Sequence, residues 1–530
     1  MKAPAVLQGA GLATLYIAPF ASNFLTPTLG DAYHRIHPLT SIYRAILIGT
    51  VLLWIAGTLG FLLLDRLPLR WRRAFWLLPA VLLVWLFFRS MTGAFAAWPN
   101  IAFQALKIGH WLTPVAVILG LELLLLLPRV WDRCIAGLRI AYAICGFGLL
   151  VIVPRIAYHA LRFEPREQAS FERADLPPVP PSEPRIVWIL MDELSYDQVF
   201  EHRQSDVFLP SFDNLAKSSV TFSALQPVGN DTENILPALL LGRPVVAMRK
   251  PYAGPPSYRS APDGPWQRVN QDDTIFADAR SLGWTTGVAG WYNPYCRLLH
   301  DVLDRCSWQY AEPGRADLTA GLVSTNSVSE NLLALLPSHG KIDSLLHRPT
   351  PVRTARHRSD YTGVMAQAED ILRDSRIRFV FMHLPVPHPP GIFDRELHKL
   401  SDRGTYLDNL ALADQTLGEL RSILQATPAA DNTTLIVSSD HSWRTFMWQG
   451  TEDWSAEGTR ATHGGRFDKR PVLMVHLPHT SSGLVIAKPL NLLVVHRILD
   501  ALLHGQVHTP ADLALVSQQM QEATDVQSHN

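Results

Sequence analysis

The sequence predicts a two-part chain: a bundle of apolar helices first, then an α/β domain with a mainly parallel sheet covered by helices on both faces. Three observations carry that expectation. Apolar residues concentrate in the first third of the 530 residues. A proline-rich stretch, Leu176-Pro177-Pro178-Val179-Pro180-Pro181-Ser182-Glu183-Pro184, then interrupts the pattern. After it, short continuous apolar runs alternate with helical patterns, as expected when parallel strands are buried on both faces.

In the first part, apolar runs long enough to cross a bilayer fall at roughly 5–27, 41–64, 74–96, 110–128 and 136–157. The first is interrupted by Pro19, Asn23 and Pro27 and competes with a cleaved signal peptide, but it lacks a small-residue cleavage site. The connection after the second run holds Arg66, Arg70, Arg72 and Arg73, and that after the fourth holds Arg129, Arg133 and Arg139. The alternate connections hold only Arg35 and Lys107. Positive residues favour the cytoplasmic side, so an odd number of spans sends the remainder of the chain outside. Arg155, Arg162, Arg166 and Arg173 alternate with Glu164, Glu167 and Glu172, a pattern suited to an interfacial segment. The expected organisation is therefore a transmembrane domain over 1–158, an interfacial segment and stiff linker over 159–184, a catalytic domain over 185–505, and a loosely ordered polar tail over 506–530. The formal net charge is zero, so nothing points to a nucleic-acid partner.

In the second part, Ile186–Met191 reads as the first strand, with further strands at Arg378–Met382, Thr434–Val437 and Val472–Val475. Chemistry in such sheets gathers beyond the carboxyl ends of the strands. Those ends carry Asp192-Glu193, Ser438-Ser439-Asp440-His441, and His383 leading to His388-Pro389-Pro390. A later loop adds Thr462-His463-Gly464-Gly465. Carboxylates with imidazoles suit a divalent transition metal. Asp192, Asp440 and His441 are the expected ligands, with Glu193 as an additional or supporting group. His383 directly follows its strand and reads as a packed or supporting histidine.

The nucleophile is expected in Gly229-Asn230-Asp231-Thr232-Glu233-Asn234-Ile235-Leu236-Pro237-Ala238-Leu239-Leu240-Leu241-Gly242-Arg243. Thr232 precedes an apolar helical run, and the start of a helix directs free N–H groups and a positive dipole end toward an anion. The bland alternative makes Thr232 a helix cap alone.

The ordered set of motifs resembles the sulfatase-like branch of the alkaline phosphatase superfamily over about residues 185–500. Arylsulfatases carry Cys-x-Pro-Ser-Arg-x-x-Leu-Leu-Thr-Gly around the nucleophile, and Thr232–Gly242 has the same length and ending. The apolar strand before Asp192, the pair Asp440-His441, the run His388-Pro389-Pro390, and His463 leading to Arg470-Pro471-Val472 occupy the family's further motifs. The resemblance implies an alkaline-phosphatase-like fold, a divalent metal (zinc first, manganese or calcium otherwise), Thr232 as nucleophile and metal ligand, and His388 and His463 as phosphate-binding groups. Two departures matter. Threonine cannot become the formylglycine of true sulfatases, and Leu236 stands where their arginine stands. A threonine on five membrane helices is instead similar to envelope phosphoethanolamine transferases and lipoteichoic-acid-synthase-like enzymes. That likeness implies a bacterial inner-membrane protein with its catalytic domain in the periplasm. It implies transfer of a phospho group from a membrane lipid donor to an envelope lipid or glycan acceptor. A membrane-bound phosphodiesterase or sulfuric-ester hydrolase is the second reading, and a non-catalytic envelope scaffold the third.

Of the four cysteines, Cys296 and Cys306 fall in the part expected outside, where an oxidising compartment permits a disulfide across Arg297–Arg305. Cys134 falls in an expected cytoplasmic loop and Cys145 in a span, so both are expected to stay free.

Overall fold

The computed structural model describes residues 4–25, 40–94, 99–162, 170–249, 255–310, 328–329, 332, 335 and 352–528. The chain forms two compact units. One comprises 1–32, 37–166 and 312–349, and the other 33–36, 167–311 and 350–530.

The first unit is helical: Ala5–Leu25, Thr40–Arg66, Leu69–Phe75, Leu77–Ala94, Pro99–Leu126, Pro128–Gly146 and Leu149–Arg162. Among the described residues three stretches, Tyr43–Arg66, Leu69–Ser90 and Pro128–Ala157, are long and apolar enough to cross a membrane. The expected first and fourth spans correspond to shorter apolar stretches, Ala5–Ala18 and Trp111–Leu126. The first helix packs tightly on its neighbours. A side chain at Gly11 would meet the Tyr142 carbonyl at 1.8 Å, so only glycine fits that crossing. The arginines that set the expected orientation also make ion pairs: Arg73 Nε donates to Asp132 at 2.8 Å, and Arg139 pairs with Asp65. Arg35, and Glu164, Arg166 and Glu167 of the expected interfacial segment, lie outside the described residues.

The second unit is built on a nine-stranded sheet. From one edge the strands are Ser170–Glu172, Arg305–Gln309, Thr286–Trp291, Phe379–Leu384, Arg185–Met191, Thr433–Ser438, Leu473–His476, Val220–Phe222 and Leu484–Ile486. The five from Arg305–Gln309 to Thr433–Ser438 run parallel. Arg185–Met191 is buried at every position, which explains the unbroken apolar sequence that follows Arg185. Leu473–His476 runs antiparallel to Thr433–Ser438, so the sheet is mixed at this side. The strand Ser170–Glu172 pairs antiparallel with Arg305–Gln309, so part of the expected linker belongs to the sheet. The proline-rich stretch itself has neither helix nor strand.

Helices close the sheet. Tyr406–Gln425 begins with a capping box in which Thr405 and Asp408 exchange hydrogen bonds. Asp414 of this helix accepts from the amides of Ser211 and Phe212, at 3.1 and 2.8 Å, capping the helix Pro210–Ala216. Buried Arg185 donates to the carbonyls of Ile377, Leu372 and Asp374, satisfying the end of helix Val352–Arg373. One expectation fails at the end of the chain. The residues expected as a loose tail form a helix, Pro510–Ser528, anchored by fully buried Leu513. Cys296 and Cys306 are joined, with Cα atoms 5.5 Å apart, while Cys134 and Cys145 are free.

Candidate active site

Strand register brings the site together. Met191 pairs with Leu384, and Leu190 pairs with Ser438, so the central strands end at one level. The chain leaves those ends as Asp192, as Pro385, and as Ser439-Asp440-His441. Facing them is the first residue of the helix Thr232–Leu241. That helix is buried along its length from Ile235 and closes on Gly242 in the left-handed region at φ 65°. Asp231 takes the N-cap position, but its carboxylate makes no capping hydrogen bond. The cap reading of Thr232 therefore does not describe this helix: Thr232 is the first helical residue, and its side chain turns inward.

The Thr232 hydroxyl donates to Asp440 Oδ2 at 2.7 Å and approaches Asp192 Oδ2 at 3.3 Å and His441 Nε2 at 3.2 Å. All four side chains are buried. The donor atoms of Asp192, Asp440 and His441 lie within 4.8 Å of one another. His441 Nδ1 sits 3.1 Å from the Ser442 carbonyl. A carbonyl only accepts, so Nδ1 carries the proton and the Nε2 lone pair faces the cluster. Ser439 braces the turn, accepting from the Leu194 amide at 2.9 Å and donating to the His441 carbonyl at 2.5 Å.

The electrostatics call for a cation. Burial, reinforced by the neighbouring Asp440 charge, pushes the Asp192 carboxyl well above its usual range. Burial also pushes Asp440 up, but His441, His383 and the Thr232 hydrogen bond outweigh it and hold that carboxyl below the usual range. Two carboxylates this close in a low-dielectric site ionise together only with compensation. Two buried atoms beside them have no hydrogen-bond partner, Asp192 Oδ1 and His383 Nε2. Orphaned donor atoms around an Asp, Asp, His set with one hydroxyl fit a divalent metal. His383 Nε2 lies 3.6 Å from Asp192 Oδ2, and its Nδ1 is paired with the Tyr295 hydroxyl at 2.8 Å. It is a supporting histidine in direct reach of the set.

Glu193 is turned away from the cluster. Its backbone is left-handed at φ 64°, and its carboxylate is engaged outside the Asp192, Asp440 and His441 set. There Arg444 Nε donates to it at 2.7 Å and Trp448 Nε1 at 2.9 Å. Burial pushes its carboxyl up to about 7 although Arg444 pulls the other way. Arg444 Nη1 also donates to the Asn230 carbonyl at 3.0 Å, tying the loop before Thr232 to the end of the first strand. Tyr406 donates to the Glu193 carbonyl at 2.8 Å and stacks on Trp443, fixing the same turn from the other side.

His388 and His463 part company. His388 packs edge-on against Trp448 and Trp291, with ring centroids 5.3 and 5.5 Å away, and beside His357 at 5.8 Å. Burial first, then Arg444 and His357, hold its pKa well below the usual imidazole value, so it stands neutral. Its buried Nδ1 has no partner. His463 is exposed at φ 50°, and its ring meets His202 at 5.4 Å. Among the described residues no hydrogen bond ties His463 to the Asp192–Asp440 cluster, and the helix Ala456–Ala461 ends before it. A second acidic group, Asp197, Glu201 and His202, is already compensated by Arg470, which donates to Glu201 at 2.5 and 2.9 Å.

Sequence reasoning missed Arg444, Trp448, Trp291 and His357. Arg444 follows His441 by three residues, and an arginine so close to a strand-end ligand was the available signal. His357 sits within a polar helical stretch that offers none.

Comparison with known proteins adds a family and three similar structures. A family model described as Sulfatase matches residues 184–462. The crystal structure of Ps i-CgsB is similar at 17% identity, covering 62% of this chain and 74% of that one, with a TM-score of 0.38. The phosphonate monoester hydrolase of Agrobacterium radiobacter is similar at 14%, covering 61% and 74%, with a TM-score of 0.38. The PsFucS1 sulfatase from Pseudoalteromonas sp. is similar at 15%, covering 61% and 68%, with a TM-score of 0.41. No curated protein matches the chain.

Proposed function

The chain belongs to the sulfatase family, and on that premise we propose that it is a membrane-anchored, metal-dependent phospho-group transferase of the bacterial cell envelope, with Thr232 as its nucleophile. The observation that carries the reading is the buried Thr232 hydroxyl, 2.7 Å from Asp440 and in reach of Asp192 and His441. A threonine there cannot be matured to formylglycine, which favours attack on a phosphoryl centre over sulfate-ester hydrolysis.

A divalent cation held by Asp192, Asp440 and His441 would supply the positive charge that favours the Thr232 alkoxide and the anionic ester beside it. Asp440 holds and orients the hydroxyl through the existing hydrogen bond. Thr232 Oγ1 attacks the phosphorus of a phosphodiester, the bond from phosphorus to the leaving alcohol breaks, and the proton given up by the Thr232 hydroxyl passes through water to that alcohol. The phospho group now esterifies Thr232. An acceptor hydroxyl then attacks the same phosphorus and gives up its proton, the bond to Oγ1 breaks, and that proton is returned to Thr232. Neutral His388, beside Arg444, orients the non-bridging oxygens as a hydrogen-bond donor.

The membrane supports the choice of substrates. Helices long and apolar enough to cross a bilayer precede the catalytic unit, so a lipid donor and an envelope lipid or glycan acceptor are at hand. The arginine-rich connections support a catalytic unit on the periplasmic side of the inner membrane. Mass spectrometry of envelope lipids and glycans tests this in cells carrying the wild-type chain or Thr232→Ala. A phospho-linked head group present only with the wild type supports transfer. Release of free phosphate ester with no modified acceptor would make the protein a hydrolase.

A further inference from the structure

The strands Ala247–Arg249, Ser257–Arg259 and Gln267–Arg268 form a small antiparallel sheet directly after the nucleophile helix. Their register sorts the side chains cleanly. Ala247 pairs with Arg259, Arg249 with Ser257, and Ser257 with Arg268. Directly paired residues share a face, and residues two apart along a strand share it too. Arg249, Arg259 and Arg268 therefore stand on one face, separated only by Ala247 and Ser257. The other face carries Met248 and buried Tyr258, which pack on Ala238 and Leu241 of the nucleophile helix.

The arginine face has no internal compensation. Among the described residues, no carboxylate lies within salt-bridge distance of Arg249, Arg259 or Arg268, whereas nearby Arg243 has Asp273 at 3.9 Å. Arg259 Nε is buried without a hydrogen-bond partner. Trp266, at the entry to the third strand, holds two of the guanidinium groups: Arg249 lies 3.9 Å from its ring centroid and Arg259 5.1 Å. Stacking on an aromatic ring fixes the plane of a guanidinium and leaves its N–H fork open to an oxyanion. Arg249 and Arg268 are exposed. By strand spacing the three side chains are rooted roughly 7 to 10 Å apart.

We propose that this face binds an acidic glycan, an extended saccharide with regularly spaced carboxylate or phosphate groups. Three uncompensated forks at that spacing match separate anionic groups along a chain better than one compact anion. A bilayer surface is the poorer match, because membrane-binding faces present large apolar side chains to the acyl region and this face presents Ala247 and Ser257 between its arginines. The site is distinct from the reaction centre. Leu241, where the sheet packs, is about 13 Å along the helix axis from Thr232. The sheet rests on the nucleophile helix itself, so a glycan gripped there is held on the element that carries the hydroxyl. The inference does not depend on the transferase reading, since binding is measured without turnover.

The test uses the full chain in phosphatidylcholine nanodiscs, titrated calorimetrically with hexagalacturonate, maltohexaose and dihexanoyl phosphatidylglycerol. Hexagalacturonate is expected to bind with an affinity that falls as salt rises, and maltohexaose is expected not to bind. R249Q and R268Q, both exposed substitutions, should each weaken hexagalacturonate binding at least threefold, and the triple variant with R259Q at least tenfold. Thr232→Ala should leave binding unchanged. Absence of hexagalacturonate binding, equal binding of maltohexaose, preference for the lipid, or undiminished binding by R249Q and R268Q would each overturn the proposal.

Discussion

Thr232 and Asp440 are 208 residues apart in the chain, yet their side chains meet at 2.7 Å between the helix start and the end of a central strand. The contact joins the nucleophilic hydroxyl to a carboxylate held below its usual range, so Asp440 stays an ionised hydrogen-bond acceptor that orients it. That pairing is what a metal-assisted threonine nucleophile needs.

Replacing Thr232 with alanine is expected to lower turnover of a phosphodiester by roughly 10³-fold or more. The hydroxyl contributes little packing, so the melting temperature should stay within a few degrees. Serine keeps the oxygen and should retain measurable activity. Steady-state kinetics of the purified variants, beside their melting curves, check both statements.

Asp440→Asn should lower bound divalent metal and activity together, because it removes one of the charges that a cation balances. Chelation of the wild type should inactivate it, with recovery on adding zinc or manganese. Elemental analysis of dialysed protein gives the metal content. Full activity in a metal-free preparation would refute the assignment of the Asp192, Asp440 and His441 set.

Arg444→Met should destabilise the catalytic unit by about 3–5 kcal/mol, since it leaves the Glu193 carboxylate buried without its partner. Adding Glu193→Gln should recover much of that loss. Denaturant unfolding of the two single variants and the double variant measures the coupling. Independent, additive losses would show that the pair is not a unit.

The strand ends explain how much of this site could be read from sequence. A parallel strand buried on both faces is apolar without interruption, so Ile186–Met191 and Thr434–Val437 announced themselves, and the polar residues after them followed. The strand Thr286–Trp291 did not, because Gly287 and Gly290 dilute its apolar signal. Their smallness answers to packing that only the fold creates: a side chain at Gly287 would meet Ile371 at 2.6 Å, and one at Gly290 would meet Tyr295 at 2.1 Å. His357 reaches the site from a helix that looks polar and solvent-facing in sequence. The terminal helix was hidden likewise, since only a short apolar segment around Leu513 and Val516 anchors it and the residues after them are mostly polar. The choice between Asp192 and Glu193 was unreadable because it turns on Arg444 and Trp448, which claim Glu193 from 251 and 255 residues away in the chain.

His357 gives the catalytic unit a defined acid sensitivity. Burial lowers its pKa from the ordinary 6.5 to about 4. Between those values the unfolded chain takes up a proton that the folded chain refuses, so stability falls as pH drops through that window, by about 3 kcal/mol at full effect. His357→Gln removes the group and should lose less stability between about pH 7 and pH 4.5 than the wild type does. Melting curves at both pH values test the difference. Equal losses would mean that His357 does not titrate in that window.

The Cys296–Cys306 bond predicts two free thiols, Cys134 and Cys145, in the unreduced, denatured chain. Closing so short a loop stabilises by about 2–3 kcal/mol in the chain-entropy model. Cys296→Ser with Cys306→Ser should lower stability by that order while leaving turnover nearly intact. Thiol titration giving four free groups would contradict the bond.

The most direct test of the account is peptide mass spectrometry of the full-length protein, quenched in acid during turnover of a p-nitrophenyl phosphodiester. The account predicts a mass increase equal to the transferred phospho group on Thr232, and no such adduct and almost no p-nitrophenol from Thr232→Ala. Rapid p-nitrophenol release by Thr232→Ala, with Thr232 unmodified in the wild type, would contradict it.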